Sequence, residues 1–534
     1  MRDPAFRLRR PIGLAQGAAV VGLLLAMSGC EAKPSTGPRR GPATPANVQG
    51  GLFDAVAESL DHLEQFDTNQ ILKQVCDRLN QWYLQEKPQV AWQPDPLLET
   101  LSPELRHLLP IQTLDAMQYR IPDAWFLQES VWMRDISKHA RADQFQDVAV
   151  AERLFDWTVQ NIQLDPDVDP QAQRHRPFET LLYGRGQALE RAWVFMLLAR
   201  QQGLDVVLLG LADEEGPPVR PWLPALLSGE DLVLFDVRLG LPIPGPQGQG
   251  VATLAQVVAD EQWLRRLDLD DEHPYPVRSE DLKRVVAFVE ASPSNLSRRM
   301  ALVESRLTGK HKMVLTSPGS ALIERLKKIP QISDAQLWPL PFEIALWESK
   351  LSDTERRAAA RELLVFQAMP TLIKARALDF KGVYDGETGA KNFYLGLRPP
   401  DTYLDQYKMP PEMAQQIPKE SRSQVEASQV LMLKHAKQSA SFWLGLVALA
   451  EQDYPTAIDF FAKRTLEASP RGPWTAAARY NLARAYEATG DVEQAIALYE
   501  SDHQSPQSHG NQLRARWLKE RQSPEAERQA PETK

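Results

Sequence analysis

The stretch "GRGQALERAWVFMLLARQQGLDVVLLGL", Gly184 to Leu211, decides how the rest of the chain is read. From Leu189 to Arg200 apolar residues cover nearly the whole circumference of a helix, which predicts a central helix packed on several sides. Gly203 can stop that helix in the left-handed conformation, and "VVLLGL" follows as a short buried strand. Upstream, "AVAERLFDWTVQNIQLDP" sets Val150, Leu154, Trp157 and Val159 on a helical stripe with Ile162 beyond, so a helix should end near Asn161 before a polar loop. Downstream, "LVLFDVRLG" is a second buried strand in which Asp236 follows four apolar residues. Helix, loop, buried helix, strand, turn, strand is an α+β order.

In order and spacing these segments resemble the transglutaminase-like superfamily, a papain-related fold, over about 110 residues from Val150 to about Asp260. The resemblance implies a cysteine nucleophile opening the central helix, separated from a glycine by one residue, with a histidine and an aspartate supplied by the two strands that follow. That chemistry needs a thiolate at a helix N-terminus, where the dipole and an adjacent imidazolium lower the thiol pKa. In "GRGQALERA" the matching position is Ala188, and in "VRPWLPALL" the histidine position is Arg220. Only the aspartate survives, as Asp236, and an orienting carboxylate without its histidine does no chemistry. Asp236 is expected to pair with Arg220 or another arginine, and Pro221 and Pro224 to interrupt the strand's hydrogen bonding. Loss of the nucleophile alone costs triad hydrolases on the order of a millionfold in turnover. The resemblance therefore implies a degenerate site, with Glu190, Arg191 and His175 as neighbours and His175, in "RHRPFE", read as a solvated loop residue.

The 534 residues are 43% apolar, enough for several packed cores, and the formal charge of −9 without a long Lys/Arg run argues against a nucleic-acid partner. The chain has two cysteines. Cys76, in "NQILKQVCDRLNQWYL", shares a helical face with Ile71, Val75 and Leu79 and reads as a small core residue. Cys30 closes "MSGC" after Arg7, Arg9, Arg10 and the apolar run "IGLAQGAAVVGLLLAM", a run too short to span a bilayer comfortably and suited to an export signal. The Ser28-Gly29-Cys30 ending resembles the lipobox of bacterial lipoproteins, which implies cleavage before Cys30 and lipid on it. "EAKPSTGPRRGPATPANVQGG" then reads as an extended tether. Zinc-type and phosphate-type motifs do not occur, so no cofactor or metal is expected.

Towards the C-terminus, "SFWLGLVALAEQDYPTAIDFF" and "RYNLARAYEATGDVEQAIALY" align at an offset of 38 residues. The small residues Gly445, Ala483, Ala457 and Ala495 let helices approach closely, and Phe461 and Tyr499 fill the seam. The pair resembles two tetratricopeptide repeats. The resemblance implies a concave groove for a protein or peptide, lined by Phe442 and Leu446 in one repeat and Tyr480 and Arg484 in the next.

The expected organisation is a signal peptide over 1–29, a tether over 30–50, a helical region over 51–149, the transglutaminase-like domain over 150–260, a helical middle over 261–435, the repeats over 436–503 and a mobile tail over 504–534. The expected function is a membrane-tethered lipoprotein of the cell envelope that acts as a protein- or peptide-binding scaffold. The alternative is a transglutaminase-like peptidase or acyl-transferase with a rearranged active site.

Overall fold

The computed structural model describes residues 51–63, 68–108, 110–167, 174–213, 216–355, 366 and 368–522. The signal peptide, Cys30, the tether and residues 523–534 of the tail lie outside the described residues. The helices and strands used below are numbered in chain order.

Helices α1 (Leu52–Asp61), α2 (Thr68–Glu86) and α3 (Ile121–Ala140) form an N-terminal layer. Cys76 is buried in it with Ile71, Val75 and Leu79, and the Phe53 and Trp82 rings meet at 4.7 Å. Helix α4 (Asp147–Asn161) leads to β1 (Gln163–Leu164), then α5 (Pro177–Tyr183) and β2 (Arg185–Gly186), which pairs parallel with β1. Helix α6 (Ala188–Gln201) is the central one, with Ala192, Val194, Phe195, Leu198 and Ala199 fully buried, as its apolar circumference requires. Gly203 closes it at φ +74°.

The sheet holds β3 (Val206–Asp213), β4 (Gly216–Ser228), β5 (Asp231–Asp236), β6 (Leu241–Pro242), β7 (Val285–Val289) and β8 (Ile332–Leu337) in the order β6-β5-β4-β3-β7-β8. All neighbours are antiparallel except β7 and β8, which run parallel. Its two faces bury separate cores. Leu208, Leu226, Val233, Phe235 and Phe288 pack with α6, whereas Val207, Leu209, Leu232, Leu234 and Ala287 pack on the other face. The alternation follows from the period of two along a strand.

Helix α7 (Leu340–Lys350) flanks the sheet, and α8 (Pro370–Phe380) leads to the C-terminal helices. Arg376 of α8 is buried, donates to Leu181 O (2.8 Å) and Asp379 (2.9 Å), and lies over the Phe380 and Trp443 rings. The repeats comprise α9 (Lys419–Ala450), α10 (Tyr454–Asp459, continuing as a π-helical stretch Phe460–Glu467), α11 (Thr475–Thr489) and α12 (Val492–Glu500). A Cβ on Gly445 would lie 2.5 Å from the Phe461 ring, so the helix pair closes only over a glycine. Among the described residues no helix is long and apolar enough to cross a membrane.

Two features differ from the sequence expectations, and one follows them. β7 and β8 fall within the stretch expected to be helical; "VVAFV" of β7 is a short unbroken apolar run that a helix or a strand can equally bury. As expected, Pro221 and Pro224 interrupt β4: its register on β3 shifts between Leu208↔Pro224 and Gly210↔Pro221, and its ladder with β5 starts only at Ala225. The tail begins with a packed helix, α13 (Ser508–Gln522), which buries Leu513 and Ala515. A Cβ on its Gly510 would lie 1.8 Å from Leu239 O.

Candidate functional site

Ala188 is the first residue of α6 and is buried. Two residues on, Glu190 folds back over the helix start and accepts from Gln187 N (2.8 Å) and His175 N (2.6 Å). Gly186 leaves the room for this, since a Cβ there would sit 2.8 Å from Glu190 Oε2. The His175 ring is drawn to the same place, with Nδ1 3.5 Å from Glu190 Oε2 and its edge against Tyr183. It is therefore held at the helix start by Glu190 and is not a solvated loop residue.

Arg191 is 1% exposed and acts as a bolt. Its guanidinium donates to Ile162 O (3.0 Å), Val159 O (3.3 Å), Val237 O (2.9 Å) and Gln507 Oε1 (2.7 Å), using its planar set of donors on four groups from three segments. Burial lowers its pKa, yet the group stays charged.

Asp236 and Arg220 do not meet. Asp236 shares the strand face of Leu232 and Leu234, away from α6, and accepts from Tyr275 OH (2.7 Å), Arg238 N (2.8 Å) and Leu239 N (3.0 Å). Tyr275 in turn accepts from Trp222 Nε1 at 2.8 Å, and burial, then the Asp236 charge, hold its hydroxyl far above its ordinary pKa. Arg220, half exposed, lies 3.5 Å from Asp281. The expected pairing of Asp236 with Arg220 is thus replaced by two separate ones, because β4 and β5 pair only from Ala225 to Ser228 and Arg220 lies beyond that ladder.

A cavity of about 510 Å3 opens beside the α6 start. Leu189, Val219, Pro221, Phe288, Trp338 and Trp347 form its walls, with Arg174 and Glu343 as its charged groups. Arg174 donates to Gln187 Oε1. Burial raises the Glu343 pKa against the pull of Arg174. Sequence reasoning missed this cavity. The signal was Gly210 in "VVLLGL", where a Cβ would meet Val219 at 2.6 Å and Phe288 at 2.7 Å.

The chemistry available near α6 is positional and electrostatic. Among the described residues the thiol is Cys76, which lies in the N-terminal layer with its pKa pushed up to about 12, by burial first and then by Asp123 and Asp77. Glu58, Asp61 and His311 come within 4.8 Å of one another, a composition able to ligate a metal. Lys310 and Arg134 already sit on their carboxylates at 3.1 and 3.0 Å, so side chains neutralise this group.

The four groove residues are covered by the chain itself. Phe442 is fully buried and stacks on Trp474 at 4.7 Å, and Leu446 is buried in the same cluster. Tyr480 is buried against Tyr499, and Arg484 forks onto Asp156 of α4. Asn481 Nδ2 donates to Gln160 O (3.0 Å), while Gln163 bridges Pro473 O and Ala477 N. The groove expected for a peptide is here the seam between α11 and the α4–β1 corner, since Asp156 and Gln163 supply the polar partners that an isolated repeat would leave open.

Compared with known proteins, residues 438–501 match the tetratricopeptide repeat family. No curated protein and no solved structure matches the chain. The C-terminal helices are therefore a repeat module of a kind that generally mediates protein–protein interaction.

Proposed function

We propose that the chain is a membrane-tethered lipoprotein of the cell envelope whose transglutaminase-like body is non-catalytic and serves, with the repeat module, as a protein-binding scaffold. The observation that carries this reading is the start of α6. The position the resemblance assigns to a nucleophile holds a buried alanine, and the surviving aspartate points to the opposite face of the sheet, committed to Tyr275. Glu190 and Arg191, the charged residues nearest the helix start, are consumed in holding the loop and the C-terminal segment. The match to tetratricopeptide repeats supports an interaction role.

Because the α11 groove is filled from within, the surface offered to a partner lies on the outer helices, where Glu493 and Ala497 of α12 are exposed. A photo-crosslinking residue placed at either position in the full chain should give a discrete protein adduct in cells. The same chain should show no amine incorporation into a glutamine peptide and no thiol-dependent peptide cleavage. Absence of adducts together with turnover would replace the scaffold by the enzyme reading. Cys30→Ser should abolish lipid labelling and release the protein from the membrane fraction, and retained labelling would refute the tether.

A further inference from the structure

The cavity beside α6 has the dimensions and lining of a small-molecule site. Its volume of about 510 Å3 lies within the roughly 300–1,000 Å3 of ligand pockets, which are mostly apolar with a few placed polar groups. The walls are held in place before any ligand arrives. Trp338 packs edge to face on Trp193 at 5.4 Å, and Trp193 Nε1 is anchored on Glu290 at 3.0 Å. Gly210 bares the strand so that Val219 and Phe288 close together over it as one apolar surface. Flat faces from Trp338, Trp347 and Phe288 favour a planar or branched body.

Two charged groups give the cavity a direction. Arg174 carries a permanent charge and a planar fork suited to a carboxylate, and it is steadied through Gln187, the residue that precedes α6. Glu343 stands exposed at the rim, where solvent screens its charge. The start of α6 is already capped by Glu190 and adds no free charge to the cavity. Arg174, half-buried and fixed by Gln187, is the charged group best placed to meet a ligand.

We propose that this cavity binds a small organic acid, a carboxylate carried on a flat aromatic or branched apolar body, with Arg174 as its anion partner and Trp338, Trp347 and Phe288 around the body. The site is independent of the scaffold reading and needs no covalent step.

Three indole probes of different charge test it by calorimetry on the full chain: the isosteric indole-3-propionate and indole-3-propionamide, and the cationic tryptamine. The propionate should bind at least about tenfold more tightly than the amide, and tryptamine more weakly than either, in line with a charge-assisted hydrogen bond. Arg174→Gln should bring propionate and amide to the same affinity. Leu189→Trp, which fills the cavity from α6, should abolish binding of all three. Glu343→Gln, at the solvent-facing rim, leaves the core untouched and should bind propionate as tightly as the parent or more tightly. Equal affinities for the three probes, preference for tryptamine, absence of any binding heat, or a tenfold loss in Glu343→Gln would each overturn the proposal.

Discussion

The start of α6 and the seam between α11 and α4 both bury charge, and they use it differently. At α6 the charged groups Glu190 and Arg191 bond chiefly to backbone. At the seam, side chains bond to side chains. Asp156 takes the fork of Arg484, and Glu487 takes that of Arg514 at 2.6 and 2.9 Å. Although burial alone would raise both carboxyls, the facing arginines hold Asp156 and Glu487 below their ordinary pKa values. The polar side chains of the seam thus fix the repeat module against the body.

The largest effect is expected at Arg191, which ties the α6 start to the C-terminal segment through Gln507. Arg191→Met would leave the carbonyls of Val159, Ile162 and Val237 unpaired in the core, a loss of about 3–5 kcal/mol by urea unfolding. A loss below about 1 kcal/mol would mean that the bolt is ornamental.

At the seam, Arg484→Glu would set two carboxylates against each other at Asp156. Solvent reaches this pair from one side, so the expected cost is about 2 kcal/mol, smaller than for a fully buried pair. The double exchange Asp156→Arg with Arg484→Glu should recover part of it. Undiminished stability in the single variant would show that the module docks without this pair.

A third test lies on the α6 side, where one acid is not compensated. Glu129 accepts from Phe178 N at the start of α5, and burial, then the Glu290 charge, raise its pKa from 4.5 to about 8. The folded state then holds a proton that the unfolded state has released, so Glu129 lowers stability progressively as pH rises from about 4.5 to 8. Glu129→Gln should flatten that slope, with its gain largest at pH 8 and absent near pH 4.5. A pH-independent difference between the two proteins would assign Glu129 another role.

The smallest effect expected is none. In a Cys30→Ser background, Cys76 should leave an aromatic disulfide reagent unreacted at pH 8 until the chain is unfolded, because burial disfavours its thiolate. Rapid reaction of the folded chain would show that Cys76 is an accessible nucleophile.

Much of this was legible in the sequence wherever one short stretch carried the whole signal. The apolar circumference of α6, the left-handed Gly203 and the repeat pattern around Gly445 are local patterns with local causes. The partners of Asp236 and Arg484 were not legible. Tyr275 lies 39 residues from Asp236 and Asp156 lies 328 from Arg484, and nothing in either neighbourhood names the other. The same holds for the cavity, whose walls come from α6, β4, β7 and α7 and whose single local trace is Gly210. β7 was hidden because its unbroken apolar run shows no alternation, and β8 because ISDAQL buries Ile332, Ala335 and Leu337 without a period of two.

The return of the last helix has a consequence for how the molecule is made. Gln507 reaches Arg191 across 316 residues, and Arg516 of α13 donates to Asp268 O across 248. Contacts of such separation close late, since the chain between them must first be ordered at an entropic cost that grows with its length. On a ribosome that delivers the N-terminal part first, Arg191 waits for its fourth partner until Gln507 has emerged. Native packing around the central helix is therefore completed by a segment synthesised some 316 residues after it.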